Sequence, residues 1–221
     1  MSVHIFSNPD VLANAAADHI ADYLGGTDRI MTLGLAGGGT PAATYIELAD
    51  RDLDWRNVVM WLGDERWVPH DHGESNTRMA HETLADKVVG TLVAPDTAFG
   101  DPGEAAAAYA EKLSDIFHEG RPDLVLLGIG DDGHTASLFP GTEALEATAG
   151  VYLANWVEQK DTWRLTATMP TLWSAREIVF LVQGSGKAGI LGQIIDDLHP
   201  YPAQRVASGA DNVRWFVDEA A

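Results

Sequence analysis

Short, unbroken apolar runs recur along this chain, and most of them give way to glycine. Ile30–Ala36, Val58–Gly63, Leu124–Leu127 and Glu177–Val182 are continuous enough to read as strands buried on both faces. Between them lie stretches with helical spacing. Pro9–Leu24 carries Val11, Leu12, Ala15, Ile20 and Leu24 on a rough stripe and is stopped by Gly25-Gly26. Glu104–His118 is Ala-rich, with Tyr109, Leu113, Ile116 and Phe117 in phase. Further helices are expected from Thr40 to about Leu48, from Ser75-Asn76 to about Val88, over Pro170–Ser174 and over Ala188–Leu198. Val151–Asn155, Arg164–Thr168 and Val213–Val217 read as additional strands, and Thr91–Gly103 as a connection. Strands alternating with helices imply parallel β-α units wound on both faces of one sheet. The expectation is an α/β fold with a mostly parallel sheet, a single domain over residues 1–221.

The unusual residues gather where the apolar runs end. Gly37-Gly-Gly-Thr-Pro41 follows the first run; Thr40 stands where an N-cap belongs and Pro41 suits the first helical position. Exposed N–H groups at a helix start form an anion site, although a tight, well-capped turn explains the same residues. Asp64-Glu-Arg66 follows the second run; three consecutive charges there belong to a solvated loop or a cleft, and a guanidinium such as that of Arg66 can hold phosphate or carboxylate oxygens bidentately. Gly128-Ile-Gly-Asp-Asp-Gly-His134 follows the third. Gly184-Ser-Gly-Lys187 follows the fourth, placing a lysine in a helix's first turn, where a cation suits the dipole poorly unless it faces an anion. The carboxyl edge of such a sheet is one surface, so the four ends are expected to converge.

Composition narrows the partners. The net charge of −19 excludes nucleic acid and anionic membrane, which need a basic face, and requires any phosphate site to be built locally. With only four lysines in the chain, each well-placed cation is informative. No cysteine is present, which removes thiolate chemistry and Cys-based metal sites and fits a cytoplasmic protein. No apolar run reaches the roughly 20 residues of a membrane span, and Met1-Ser-Val-His-Ile has neither a basic n-region nor an apolar h-region, so no signal peptide is expected.

Several motifs fail on inspection. Gly128–Gly133 matches GxGxxG, but Asp131 and Asp132 would meet a pyrophosphate with negative charge, and Pro140-Gly141 cuts short the helix that motif must open. No GxSxG elbow occurs, and Ser137 has no evident partner. His70, His72 and His81 lack HExxH-like spacing, so no metal is expected. What remains is His134, beside a carboxylate on a glycine-fixed loop. Imidazoles ordinarily titrate near pH 6.5 and can take and return a proton, which makes His134 the candidate catalytic group.

Together these residues resemble the 6-phosphogluconolactonase family. The blocks Asp64-Glu-Arg-x-Val-Pro69, Ser75-Asn76 and Gly128-x-Gly-x-Asp-Gly-His-Thr-Ala-Ser-Leu-Phe-Pro-Gly141 carry the likeness, with Gly37-Gly-x-Thr-Pro41, Gly184-x-x-Lys-Ala188, Pro202-Ala203 and Trp215-Phe-Val-Asp218 in matching order. The resemblance implies a Rossmann-like three-layer α/β/α sandwich, shared with glucosamine-6-phosphate deaminases. It implies hydrolysis of 6-phospho-D-glucono-1,5-lactone without a cofactor, by a monomer or weak homo-oligomer. His134 would be general base and acid, and Asp132 is favoured to support it, with the choice of carboxylate open. Substrate contacts would fall on Gly38, Gly39, Thr40, Asp64, Arg66, Gly130, Arg164 and Lys187. Asp-Glu-Arg in place of the deaminases' Asp-Glu-Tyr, and Leu138-Phe-Pro140 in place of their Phe-Asn-Glu-Pro, favour the lactonase over the deaminase. A non-catalytic sugar-phosphate sensor is the other alternative. Ala36 and Gly39 stand where the family often has serine, which shifts the expected phosphate grip onto backbone N–H groups, Thr40, Arg66 and Lys187.

Overall fold

The computed structural model describes residues 1–98, 100–196 and 199–221. In chain order its strands are β1 (Ser2–Phe6), β2 (Met31–Leu35), β3 (Val58–Leu62), β4 (Asp64–Arg66), β5 (Thr91–Val93), β6 (Leu124–Leu127), β7 (Tyr152–Val157), β8 (Thr162–Ala167), β9 (Glu177–Val182) and β10 (Val213–Asp218). The helices are α1 (Pro9–Gly25), α2 (Gly39–Ala49), α3 (Asn76–Ala80), α4 (Pro102–Ile116), α5 (Met169–Ser174), α6 (Ala188–Ile195) and α7 (Pro202–Gly209). The end of the helix expected over Ala188–Leu198 falls on residues 197 and 198, outside those described.

Seven strands form one parallel sheet in the order β1-β10-β9-β6-β2-β3-β5. The reason for the unbroken apolar runs is visible in its packing. Along β6, Leu124 and Leu126 enter the core shared with α1 and α2, while Val125 and Leu127 enter the core on the opposite face with α4, α5, α6 and α7. Along β9, Val179 and Leu181 face the first core, and Ile178, Phe180 and Val182 the second. A strand covered on both faces has no polar side to show, so its sequence carries no alternation. Three layers result. No helix among the described residues is long and apolar enough to cross a membrane.

Three departures from the sequence-based expectations matter. First, the strands over Tyr152–Val157 and Thr162–Ala167 do not extend the main sheet; they pair as an antiparallel hairpin with β4 in a separate sheet ordered β4-β8-β7. Second, β1, β5 and α7 are additional elements. Third, Asp64-Glu-Arg66 is neither loop nor wholly solvated, because it forms β4, with Glu65 fully buried and Asp64 nearly so.

At the amino-terminal edge of the main sheet two buried carboxylates tie elements together. Asp123 accepts from the Arg29 guanidinium and from Thr32 N and Oγ1 at 2.9 and 3.1 Å. Glu177 pairs with His19 and accepts from Asn212 Nδ2 at 2.5 Å and Arg214 Nε at 3.2 Å. Burial pushes the Glu177 carboxyl up, but His19 and then Arg214 outweigh it, and its pKa ends below the ordinary value.

Candidate active site

Within the main sheet the chain runs outward from β2 to β3 and β5, then returns to the other side of β2 with β6, β9 and β10. The order therefore reverses between β2 and β6, which opens a crevice beyond their carboxyl ends. The Gly37 loop leaves β2 and the Gly128 loop leaves β6, so both line that crevice. Two adjoining cavities of about 260 and 240 Å³ meet there, with Gly37, Gly128 and Ile129 lining both. The four strand ends expected to converge do so.

His134 is held from four sides. Its Nδ1 lies 2.5 Å from Asp132 Oδ1, and the same oxygen accepts from its backbone N–H at 3.2 Å. Its carbonyl accepts from Gly130 N at 2.8 Å, closing the loop on itself. The imidazole stacks on Phe139 at 4.0 Å between centroids. Any side chain at Gly130 would collide with it, since a Cβ there would sit 2.0 Å from His134 Nδ1. Next in the chain, Thr135 Oγ1 donates to Gly128 O at 2.8 Å, anchoring the loop to the end of β6. Partial burial pushes the Asp132 carboxyl up, but the hydrogen bonds and charge of His134 outweigh this and leave its pKa below the ordinary value. Of the two carboxylates, Asp132 is the one at the ring.

The second group of candidate side chains stands on the small sheet. Arg66 on β4 and Arg164 on β8 are direct cross-strand partners, so both guanidiniums leave the same face and line the cavity that holds His134. Two like charges side by side are unfavourable without an anion. Arg66 donates to Glu74 O at 2.5 Å, and neither Nε has a hydrogen-bond partner among the described residues. Burial, and then the charge of Arg66, pull the Arg164 guanidinium below its ordinary value. Glu65, between Asp64 and Arg66, is the fastening. Its Oε1 accepts from Arg66 N and Asn76 N at 2.8 and 2.7 Å, and its Oε2 from Ser75 Oγ, Thr77 N and Thr77 Oγ1 at 3.2, 2.7 and 2.6 Å. The carboxylate thus satisfies backbone donors at the start of α3 while fixing the strand that carries Arg66. Asp64 lines the same cavity, but its Oδ2 already accepts from Ser137 Oγ at 2.7 Å and its Oδ1 from Asn76 Nδ2 at 3.3 Å. Ser137, without an evident partner in the sequence, therefore has one; the bond ties β4 to the His134 loop.

The other cavity is lined by Gly37 to Pro41, Gln183 and Lys187. Here the capping expectation needs correction. The N-cap of α2 is Gly38, not Thr40, with φ of +104° and no side-chain capping bond. That backbone conformation suits only glycine, and it leaves the first N–H groups of α2 uncapped by any hydroxyl. Thr40 and Pro41 are the second and third residues of α2, within its first turn, both along the cavity wall. Lys187 is itself the N-cap of α6, and its Nζ lies 2.5 Å from Asp131 Oδ1. Arg66 and Lys187 consequently border adjoining cavities and not one pocket.

Two lining residues escaped sequence reasoning. Lys160 sits at the tip of the β7–β8 hairpin and lines the His134 cavity; its only signal was the scarcity of lysine. Gln183, just after β9, lines the second cavity with an Oε1 that has no hydrogen-bond partner among the described residues, and looked like an ordinary strand terminus. His70 and His72 bond locally, to Pro95 O at 2.8 Å and Glu74 N at 3.2 Å, and no group of three or more metal-ligating side chains forms among the described residues.

Comparison with known proteins follows the same lines. The family described as glucosamine-6-phosphate isomerases/6-phosphogluconolactonase matches residues 7–215. A 6-phosphogluconolactonase of Synechocystis sp. is 39% identical over 201 residues, spanning 86% of this chain and 82% of that protein. The solved 6-phosphogluconolactonase from Trypanosoma cruzi superposes with a TM-score of 0.89 at 27% identity, over 99% of this chain and 94% of that one. A monomeric glucosamine-6-phosphate deaminase shares the fold, with a TM-score of 0.86 over 100% of this chain and 98% of its own, at 22% identity.

Proposed function

The chain belongs to the glucosamine-6-phosphate isomerase/6-phosphogluconolactonase family, and from that premise we propose that it hydrolyses 6-phospho-D-glucono-1,5-lactone to 6-phospho-D-gluconate. The observation that carries this reading is the pairing of His134 with Asp132 in a cavity shared with two guanidiniums. With Asp132 accepting from Nδ1–H, the neutral ring keeps Nε2 as its proton acceptor. Nε2 takes a proton from water as the oxygen adds to the lactone carbonyl carbon. The tetrahedral adduct then collapses, the C–O bond to the ring oxygen breaks, and the imidazolium returns the proton to that oxygen. Asp132 orients the ring and supports its positive charge during the cycle. N–H groups of the glycine loops face the developing oxyanion; the Gly130 N–H expected among the substrate contacts is not one of them, because it is bonded to His134 O and fixes the loop.

The phosphoryl group is gripped where the two cavities meet, with Arg66 and Arg164 on one side and Lys187, Gly38, Gly39 and Thr40 on the other. Holding the far end of the substrate fixes the carbonyl carbon relative to His134. Asp64 serves this grip by bracing β4 against the catalytic loop through Ser137.

The decisive measurement is the rate of 6-phosphogluconolactone disappearance above its spontaneous background, for the protein and for His134→Ala. A loss of roughly 100-fold or more in kcat is expected; a loss of less than a few-fold removes His134 from the mechanism. Ammonia released from glucosamine 6-phosphate would instead favour the deaminase reading.

A further inference from the structure

The ammonium of Lys187 is already engaged by a carboxylate of the catalytic loop. Asp131, between Gly130 and Asp132, leans onto Lys187 from the solvent side. Its side chain is 88% exposed and that of Lys187 27% exposed, and this is the one side-chain hydrogen bond Asp131 makes among the described residues. Lys187 in turn lines the cavity of the uncapped α2 start, with Gly38, Gly39 and Thr40.

We propose that Asp131 is a specificity-determining residue, an internal carboxylate that occupies Lys187 and that a substrate phosphoryl group must displace. The proposal rests on the reading of Lys187 as a phosphate ligand. An ammonium has three donors, but a carboxylate and a phosphoryl on it at once would lie within a few ångströms of each other, where like charges repel. Asp132 and the net charge of −19 deepen that repulsion. A phosphoryl group carries close to two negative charges at neutral pH against one for Asp131, so exchange favours the phosphorylated ligand. An uncharged lactone has nothing to offer Lys187 and leaves the Asp131 contact in place. Displaced, Asp131 meets only water, and its neighbour Asp132 keeps its hold on His134. Lys187 thereby discriminates by charge and not by affinity alone.

The test is steady-state kinetics of Asp131→Asn, Lys187→Ala and the double variant, with the phosphorylated lactone, with glucono-1,5-lactone, and with inorganic phosphate as inhibitor. For an exposed pair the competition amounts to about two- to five-fold. Asp131→Asn should therefore lower both KM for the phosphorylated lactone and Ki for phosphate by about that factor. Its kcat should stay within about two-fold and its turnover of glucono-1,5-lactone should not change. The advantage should shrink in about 1 M salt, and the double variant should match Lys187→Ala. If Lys187→Ala raises KM while Asp131→Asn leaves KM and Ki unchanged or higher, Asp131 is not a competitor and the proposal falls alone. If Lys187→Ala changes neither constant, Lys187 is not a phosphate ligand, and both readings fall.

Discussion

Glu65→Gln separates the support of the site from its chemistry. Glu65 is fully buried and accepts five hydrogen bonds, three of them from the backbone N–H groups of Arg66, Asn76 and Thr77. Glutamine keeps the shape but must turn an NH₂ toward one pair of donors. Turned toward the Oε1 side it faces two backbone N–H groups, which cannot reverse. Turned toward the Oε2 side it faces one backbone N–H and the hydroxyls of Ser75 and Thr77, which can rotate to accept. The second choice costs less, and it still orphans Thr77 N and weakens the remaining charge-assisted bonds. At about 1.5–3 kcal/mol for a bond to a charged group, plus that weakening, the loss comes to about 2–4 kcal/mol. Against a total stability of about 5–15 kcal/mol this is a large fraction, and it lowers Tm by roughly 5–15 °C for a domain of this size. Urea unfolding should show the midpoint falling at constant slope. Because Arg66 hangs on the same carboxylate, KM for the phosphorylated lactone should rise at temperatures where the variant is folded. A stability within about 1 kcal/mol of the parent, with KM unchanged, would refute the assignment of Glu65 as the fastening of β4.

Two other outcomes are expected. Arg66→Ala should raise KM for the phosphorylated lactone several-fold with a smaller effect on kcat, since the proposed role of its guanidinium is to hold the phosphoryl group; an unchanged KM would put the phosphoryl group elsewhere. The Glu177 cluster should make the fold acid-sensitive. A carboxyl whose folded pKa lies below its ordinary value of 4.5 contributes stability above that value and loses it as pH falls through the folded pKa. Glu177→Gln should therefore be destabilised near neutrality yet lose less further stability below about pH 4.5, which chemical denaturation at stepped pH would reveal.

The sequence spoke clearly wherever burial imposed a one-dimensional pattern. The central strands β2, β3, β6 and β9 sit under helices on both faces, and their apolar runs announced it. Strand β1 did not. It lies at the sheet's edge, with Val3 and Ile5 exposed, and its mixture of Ser, Val, His, Ile and Phe has no such run. The hairpin of β7 and β8 read correctly as strands but not as a separate sheet, because register and partner are properties of pairing and not of composition. Charge misled at one residue. The cleft reading of Asp64-Glu-Arg66 holds for Asp64 and Arg66, which line the cavity, but Glu65 is buried, and what makes it tolerable is the set of donors at the start of α3, brought to it only by the fold. The glycines and histidine of the His134 loop were legible because a tight local turn constrains neighbours in sequence. The partnership of Asp131 with Lys187 spans 56 positions and left no trace in the chain's pattern.

The two sheets also divide the site's inheritance. His134 and both glycine loops grow from the ends of the main parallel sheet, whereas the two arginines belong to a three-stranded sheet joined to it at the β3–β4 turn and through the bonds of Asp64, Asn155 and Thr166 to Ser137. Replacing the outer part of the β7–β8 hairpin would exchange Arg164 and Lys160 together, provided that Asn155 and Thr166, which bond to Ser137 of the histidine loop, are kept. A protein built this way can drift toward differently shaped or differently charged ligands by remodelling one peripheral ribbon. The histidine loop stays fixed while the clientele changes.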